Sequence, residues 1–145
     1  MISNRCHYAL LAVLELSLRA QQGPISIGQI AEARGIPARF LEAILRDLKQ
    51  AGVVTSARGK EGGYQLARAP HAIAMGEVIR IFEGPLVAEP KAAANLPDGE
   101  LPDVFAAVWR EAGAALGEVY DRVDFGALSD REAQRVAALA TNYSI

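Results

Sequence analysis

A mainly α fold with one small β-hairpin is what this sequence predicts, and three features carry that expectation. Residues 25–52 hold two amphipathic segments, ISIGQIAEARGI and PARFLEAILRDLKQAG, that meet at a glycine. Residues 53–67 hold two short apolar runs, VVTS and YQLA, on either side of the basic, glycine-rich ARGKEGG. Residues 101–123 carry a long apolar stripe at helical spacing. Two helices across a glycine turn, then a hairpin with a basic tip, is the outline of a winged helix-turn-helix with a β-hairpin wing. The stripe adds a long C-terminal dimerisation helix. The expected division is 1–84 for the winged DNA-binding unit, 85–103 for a linker and candidate regulatory loop, and 104–145 for the dimerisation helix and a bracing helix.

The first helix should run from Ser3 or Asn4, either a suitable N-cap, to about Arg19. Tyr8, Leu11, Ala12, Leu14, Leu16 and Leu18 give it more apolar surface than one narrow face needs, so it should be enclosed on two sides. Ser26 can cap the second helix with Gln29 as capping-box partner, and Gly35 can supply the positive φ that ends it. Pro37 suits the first turn of the third helix, 37–51. There Phe40, Leu41, Ile44, Leu45 and Leu48 should be buried, leaving Arg39, Glu42, Ala43, Arg46 and Lys49 largely outside.

Residues 53–56 and 64–67 read as the strands of the hairpin. Gly59, Gly62 and Gly63 loosen its turn, and Arg58 and Lys60 carry charge to its tip. Residues 74–83 read as a short helix with Met75, Val78, Ile79 and Phe82 inward. Pro85, Pro90, Pro97 and Pro102 with Asp98-Gly99 predict an irregular connection. Val104, Phe105, Val108, Ala112, Leu116, Val119 and Val123, flanked by Trp109 and Tyr120, then form a helix over residues 102–124. So small a unit cannot easily cover that much apolar surface, and a two-fold partner helix would. Ser129 and Glu132 have capping-box spacing and mark the start of the last helix.

The net charge of −2 is unevenly divided. Residues 1–70 hold nine Lys/Arg against five Asp/Glu, and residues 71–145 hold six against twelve. A basic N-terminal half suits a polyanion, with the acidic remainder facing away from it. A hydrophobic fraction of 51% against 22% charged residues argues against global disorder. No apolar run reaches membrane-span length, so a cytoplasmic protein without a membrane partner is expected. One cysteine and two histidines leave no basis for an intrachain disulfide framework or a monomeric cysteine-rich metal site, so no metal or cofactor is expected. There is also no histidine–nucleophile pattern, phosphate loop or compact carboxylate cluster, so no catalytic residue is assigned.

Several motifs occur in order at the spacing of one family. The opening Ser3-Asn4-Arg5-Cys6-His7-Tyr8-Ala9-Leu10, then Ile30-Ala31-Glu32, Leu41-Glu42 and Leu45 through Leu48, resemble the Rrf2 family of bacterial transcription regulators. So do the run RGKEGGYQLAR at 58–68 and Met75-Gly76-Glu77-Val78-Ile79. The resemblance covers residues 1–84 strongly; beyond that it rests on the layout of a linker and long helix. It implies a homodimer on a palindromic double-stranded DNA operator, with the long helix making much of the dimer interface. It places Arg39, Glu42, Ala43 and Arg46 in the recognition helix, and Arg58, Lys60, Gly62 and Gly63 in the wing. Many members bind an iron–sulfur cluster through three linker cysteines. Residues 84–104 here contain none, so cluster sensing is not carried over. Ala43 also stands where a longer polar residue is common, and Glu61 makes the wing less basic.

Each candidate has a plainer reading. Arg39, Arg46, Arg58 and Lys60 are base- or phosphate-contacting candidates, against simple solvated charges. Arg5 is a candidate for a phosphate flank, and Glu42 for a cytosine amine or a local ion pair. Gly62 and Gly63 are primarily turn-forming. Cys6, near a helix N-terminus beside Arg5 and His7, reads first as a small packed residue and second as a redox-sensing thiol. Trp109 and Tyr120 read as dimer packing before a small-molecule site. The leading function is a dimeric, sequence-specific repressor that uses helix 37–51 and wing 57–64 and answers an unidentified small-molecule or redox signal. The alternative is an architectural or protein-interaction winged module without sequence preference.

Overall fold

A computed structural model of the chain describes residues 2–86, 96–97 and 100–143. Its helices are α1 (Asn4–Leu18), α2 (Ile27–Arg34), α3 (Ala38–Gln50), α4 (Met75–Glu83), α5 (Val104–Asp121) and α6 (Phe125–Tyr143). The antiparallel strands β1 (Val54–Ala57) and β2 (Gly63–Leu66) stand between α3 and α4, paired from Val54 opposite Leu66 to Ala57 opposite Gly63. Most of the expected linker falls on residues 87–95 and 98–99, which lie outside the described residues.

Helix α1 is the centre of the fold. Ser3 caps it, its Oγ accepting from the Cys6 N–H at 3.1 Å. Ala9, Ala12, Val13 and Leu16 are buried, and the helix packs against α2, α3, α4 and α6. This is the two-sided enclosure that its excess apolar surface required. Ile30, Leu41, Ile44, Leu45, Leu48, Val53, Ile73, Val78 and Phe125 complete one continuous core. Both arms of the Ser26–Gln29 capping box form, and Gly35 ends α2 in the left-handed region at φ 64°. Pro37 is the N-cap of α3 rather than its first helical residue.

Two expectations need correction, and one contact was not foreseen. Phe40 is not buried but 45% exposed: it sits at the N-terminal end of α3, at the edge of the core, with the Tyr8 ring of α1 stacked beside it. Ile25 joins the wing: its N–H and C=O exchange two 2.8 Å hydrogen bonds with Tyr64, a single-residue pairing too short to leave a strand pattern. Helix α6 begins at Phe125, not after Ser129. Asp124 accepts from the Ala127 N–H at 2.9 Å, and the buried Phe125 ring anchors that start. Ser129 therefore lies inside the helix, where its hydroxyl donates to the Gly126 carbonyl at 2.9 Å.

Ion pairs join the layers. Glu15, only 6% exposed on α1, is held by Arg19 at 2.7 Å and by Arg34 of α2 at 2.8 Å. Arg34 also reaches Glu132 of α6 at 3.5 Å. Arg80 of α4 binds both carboxylate oxygens of Asp121 at the end of α5, at 2.6 and 3.0 Å. Helix α5 packs chiefly on α4 and buries only Ala106, Gly113 and Gly117.

Candidate nucleic-acid interface

Helix α3 divides cleanly by face. Leu41, Ile44, Leu45 and Leu48 are buried, while Arg39, Glu42 and Arg46 are exposed and Ala43 is half-buried. Arg39, Ala43 and Arg46 are four and three residues apart, so they lie in a line along one side of the helix. At its far end the Lys49 ammonium donates to the Ser56 hydroxyl at 2.7 Å, which carries this outer stripe onto β1. From there Thr55 to Glu61 are all exposed, including Arg58 and Lys60 at the wing turn.

The wing glycines are fixed by steric contact. A Cβ on Gly62 would stand 2.4 Å from the Ala57 carbonyl oxygen, and one on Gly63 would stand 2.3 Å from that of Ile25. Pairing with Ile25 presses the backbone of β2 so close that only a missing side chain fits.

The cations sort by pairing. Arg19, Arg34, Arg68, Arg80 and Arg135 are all tied to carboxylates. Arg5 belongs with them: its guanidinium pairs with Asp47 of α3 and lies 5.5 Å from the Phe82 ring, so its charge is already answered. Among the described residues Arg39, Arg46, Lys49, Arg58 and Lys60 take part in no ion pair, and outside the winged unit the same holds of Arg122 and Arg131. Arg39 instead stacks over the Phe40 ring at 4.7 Å. A run of cations outside ion pairs therefore lies along α3 and into the wing, with the exposed carboxylates Glu42 and Glu61 among them. Asp47, Phe40 and Tyr8 were the residues sequence reading missed. No local pattern marked them: Tyr8 and Phe40 are each the one Phe, Tyr or Trp of their helix, and Asp47 lies far from Arg5 in sequence.

Of the two readings of Cys6, the structure favours the small packed residue over the redox thiol. Its side chain is fully buried, and its pKa is pushed up to about 11 by that burial first, then by the negative charge of Glu83 and a hydrogen bond to it. The Glu83 carboxyl is itself held below the usual range by hydrogen bonds from the Ser3 hydroxyl and N–H. Arg5 points to Asp47. The thiol is thus packed and neutral, the opposite of the low-pKa, accessible setting that favours oxidation.

On α5 the sequence-predicted dimerisation stripe faces solvent. Val104 is 80% exposed and Trp109 53%; Phe105, Val108, Ala112, Leu116 and Val119 are exposed as well, while Tyr120 and Val123 are half-buried. The apolar side chains point away from the fold because the face of α5 that packs on α4 is its small-residue face, with Gly117 against Arg80.

A winged helix-turn-helix with an open recognition helix and wing defines a DNA-binding transcription regulator. The chain belongs to the Rrf2 family, whose profile, described as an iron-dependent transcriptional regulator, matches residues 2–131. It is 44% identical over 93 residues to an Rrf2-like HTH-type transcriptional regulator of Rhodobacter capsulatus, a match spanning 62% of this chain and 62% of that protein. The structure of CymR, the global cysteine regulator of B. subtilis, superposes with a TM-score of 0.76 at 31% identity, covering 90% of this chain and 97% of that one. IscR of T. potens gives a TM-score of 0.76 at 32% identity, covering 92% and 90%. The metal in the family description does not fit this chain. Its one cysteine is buried in α1, residues 84–104 supply no thiolate, and no group of three His, Cys, Asp or Glu among the described residues could hold a metal ion. Nor is any helix among them long and apolar enough to cross a membrane.

Proposed function

We propose that the chain acts as a two-fold homodimer that reads a palindromic DNA operator and represses transcription from it. The observation that carries this reading is the run of unpaired cations along α3 and the wing, in a protein whose other arginines are mostly tied to carboxylates. A fold gains nothing from leaving four like charges exposed along one stripe, whereas a phosphate backbone neutralises them with release of its counterions. Helix α3 would lie in the major groove, with Arg39, Glu42 and Ala43 toward base edges and Arg46 toward phosphate. Arg58 and Lys60 would follow the adjacent backbone or minor groove, held there by Gly62 and Gly63.

The exposed apolar face of α5 supports the dimer. Val104, Phe105, Val108, Trp109, Ala112, Leu116 and Val119 form a surface that a second copy covers by two-fold pairing, with Tyr120 and Val123 at its edge. Pairing there would set the two recognition helices about one turn of DNA apart, or a multiple of it. Residues 1–84 are then the reading head, 104–145 the dimerisation unit, and 85–103 the connection through which a small-molecule signal would alter dimer geometry. The buried thiol makes Cys6 a poor receiver of a redox signal.

Selection from a random duplex pool at fixed salt tests this. Enrichment of one palindrome is expected. Salt-sensitive binding with no enriched sequence would replace the operator reader by an architectural winged module.

A further inference from the structure

Between the N-terminal half of α1 and the start of α3 lies a groove of about 340 Å³. Tyr8, Phe40, Ala43 and Ile44 make its apolar wall, and Asn4, Arg5 and Arg39 its rim; no carboxylate lines it. Phe40 is the exception in its helix: every other large apolar side chain of α3 is at most 1% exposed, yet Phe40 is left half-open. Its ring meets two neighbours, the Arg39 guanidinium 4.7 Å from its centroid and the stacked Tyr8 ring of α1 at 6.4 Å. The contact with Phe40 places Arg39 at the groove without neutralising it.

We propose that this groove seats the 5-methyl group of a thymine in each operator half-site, next to the base or phosphate contacted by Arg39. The proposal rests on the operator-reading function above and adds a base preference to it. The N-terminal residues of a groove-reading helix are those nearest the base edges. Of the four bases only thymine presents an apolar group in the major groove, and alanine and phenylalanine are side chains that meet it. Arg39 supplies the charge that brings a polyanion to this recess, while Arg5 is turned aside by Asp47. The volume exceeds one methyl group and leaves room for the base edge that bears it. Ala43, too short to hydrogen-bond a base, is thereby a specificity residue.

The test uses the operator recovered by selection and measures binding by fluorescence anisotropy at one salt concentration. Each thymine is replaced in turn by uracil, symmetrically in both half-sites, which removes only the methyl group. One position should weaken binding by about fourfold per half-site, the effect of losing one buried methyl, with the other positions near unity. In Phe40→Ala the same replacement should cost less than about twofold, since the wall is gone. Ala43→Gln fills the recess from a half-buried position on its wall and should abolish the penalty as well, which guards against a fold defect in the Phe40 variant. A selected operator with no uracil-sensitive position, or a penalty that persists in both variants, overturns the methyl seat and leaves the operator reader standing. A pool that enriches no sequence overturns both.

Discussion

The winged unit and the C-terminal helices treat apolar surface in opposite ways. In the winged unit Leu41, Ile44, Leu45, Leu48 and Val53 are sealed, and Phe40 is the one large apolar side chain left open on α3, among charged and polar residues of that helix and the wing. In α5 the two glycines and Ala106 are inside, and Val104, Phe105, Val108 and Trp109 are outside. Burial is worth about 25 cal/mol per Å² of apolar area, so the first region has satisfied its side chains and the second has not. The unfinished surfaces are also of different kinds. Unpaired cations call for a polyanion, and an open apolar helix face calls for another apolar face. One chain thus carries two complementary deficits, which a DNA-bound dimer fills together.

The largest expected effect tests the joint between these regions. Glu15 is nearly buried on α1, and its carboxylate holds Arg34, which also reaches Glu132 of α6. Glu15→Ala leaves Arg34 and Arg19 together without that counter-charge, and breaking such a pair costs about 3 kcal/mol. Urea unfolding of the variant should show that loss; a change below about 1 kcal/mol would mean that water reaches both guanidinium groups. Next comes the α5 face. Val108→Asp should leave thermal unfolding of the monomer nearly unchanged, because the residue is 55% exposed. Yet it should weaken self-association by about 100-fold, as expected for a charge driven into a central apolar contact. Sedimentation equilibrium separates the two effects, and unaltered association would remove α5 as the interface.

A third effect belongs to the sealed side of the comparison. Cys6 ionises at about 11 in the folded chain against 9.0 for an ordinary thiol. Below pH 9 both states keep the proton and the contribution is constant. Between pH 9 and 11 only the unfolded chain releases it, so stability falls as pH rises, by about 2–3 kcal/mol in all. Cys6→Ala should lack that part of the alkaline loss when the two proteins are unfolded in urea at pH 8 and pH 10.5. Identical losses would mean that the thiol ionises normally in place.

What the sequence made legible follows the same division. The Ser26 capping box, the Gly35 turn, the buried leucines of α3 and the glycines of the wing are local patterns, and each formed as the residues dictate. The apolar stripe of α5 was legible as an excess, but not that its inner contact would be made by Gly113 and Gly117, residues with no hydropathy signal. Long-range partners were not legible either. Nothing near Arg5 in sequence announces Asp47, forty-two positions on, and nothing near Cys6 announces Glu83. The ion pair of Arg5 and the raised pKa of the packed Cys6 thiol both involve contacts of that kind. At Ser129 a correct local motif lost to a stronger one, because Asp124 precedes a phenylalanine that the core takes up.

The smallest effect bears on whether pairing is the right way to sort the cations. Arg46 and Arg68 lie in the same basic half of the chain and are both exposed. Arg68 is bound by Glu77 and donates to the Ala72 carbonyl at 3.1 Å, whereas Arg46 has no ion pair among the described residues. Arg46→Ala should weaken binding to operator and unrelated duplex alike by about fivefold, and reduce the slope of log affinity against log salt by about one. Arg68→Ala should leave that slope unchanged and cost at most about 1 kcal/mol of folding stability, as an exposed pair does. Titrations at four salt concentrations measure both. If the two variants lose the same slope, the pair with Glu77 opens when DNA arrives, and the positive surface extends past the wing onto the start of α4. If only Arg46 matters, the ion pairs of the free protein already mark the boundary of the DNA footprint.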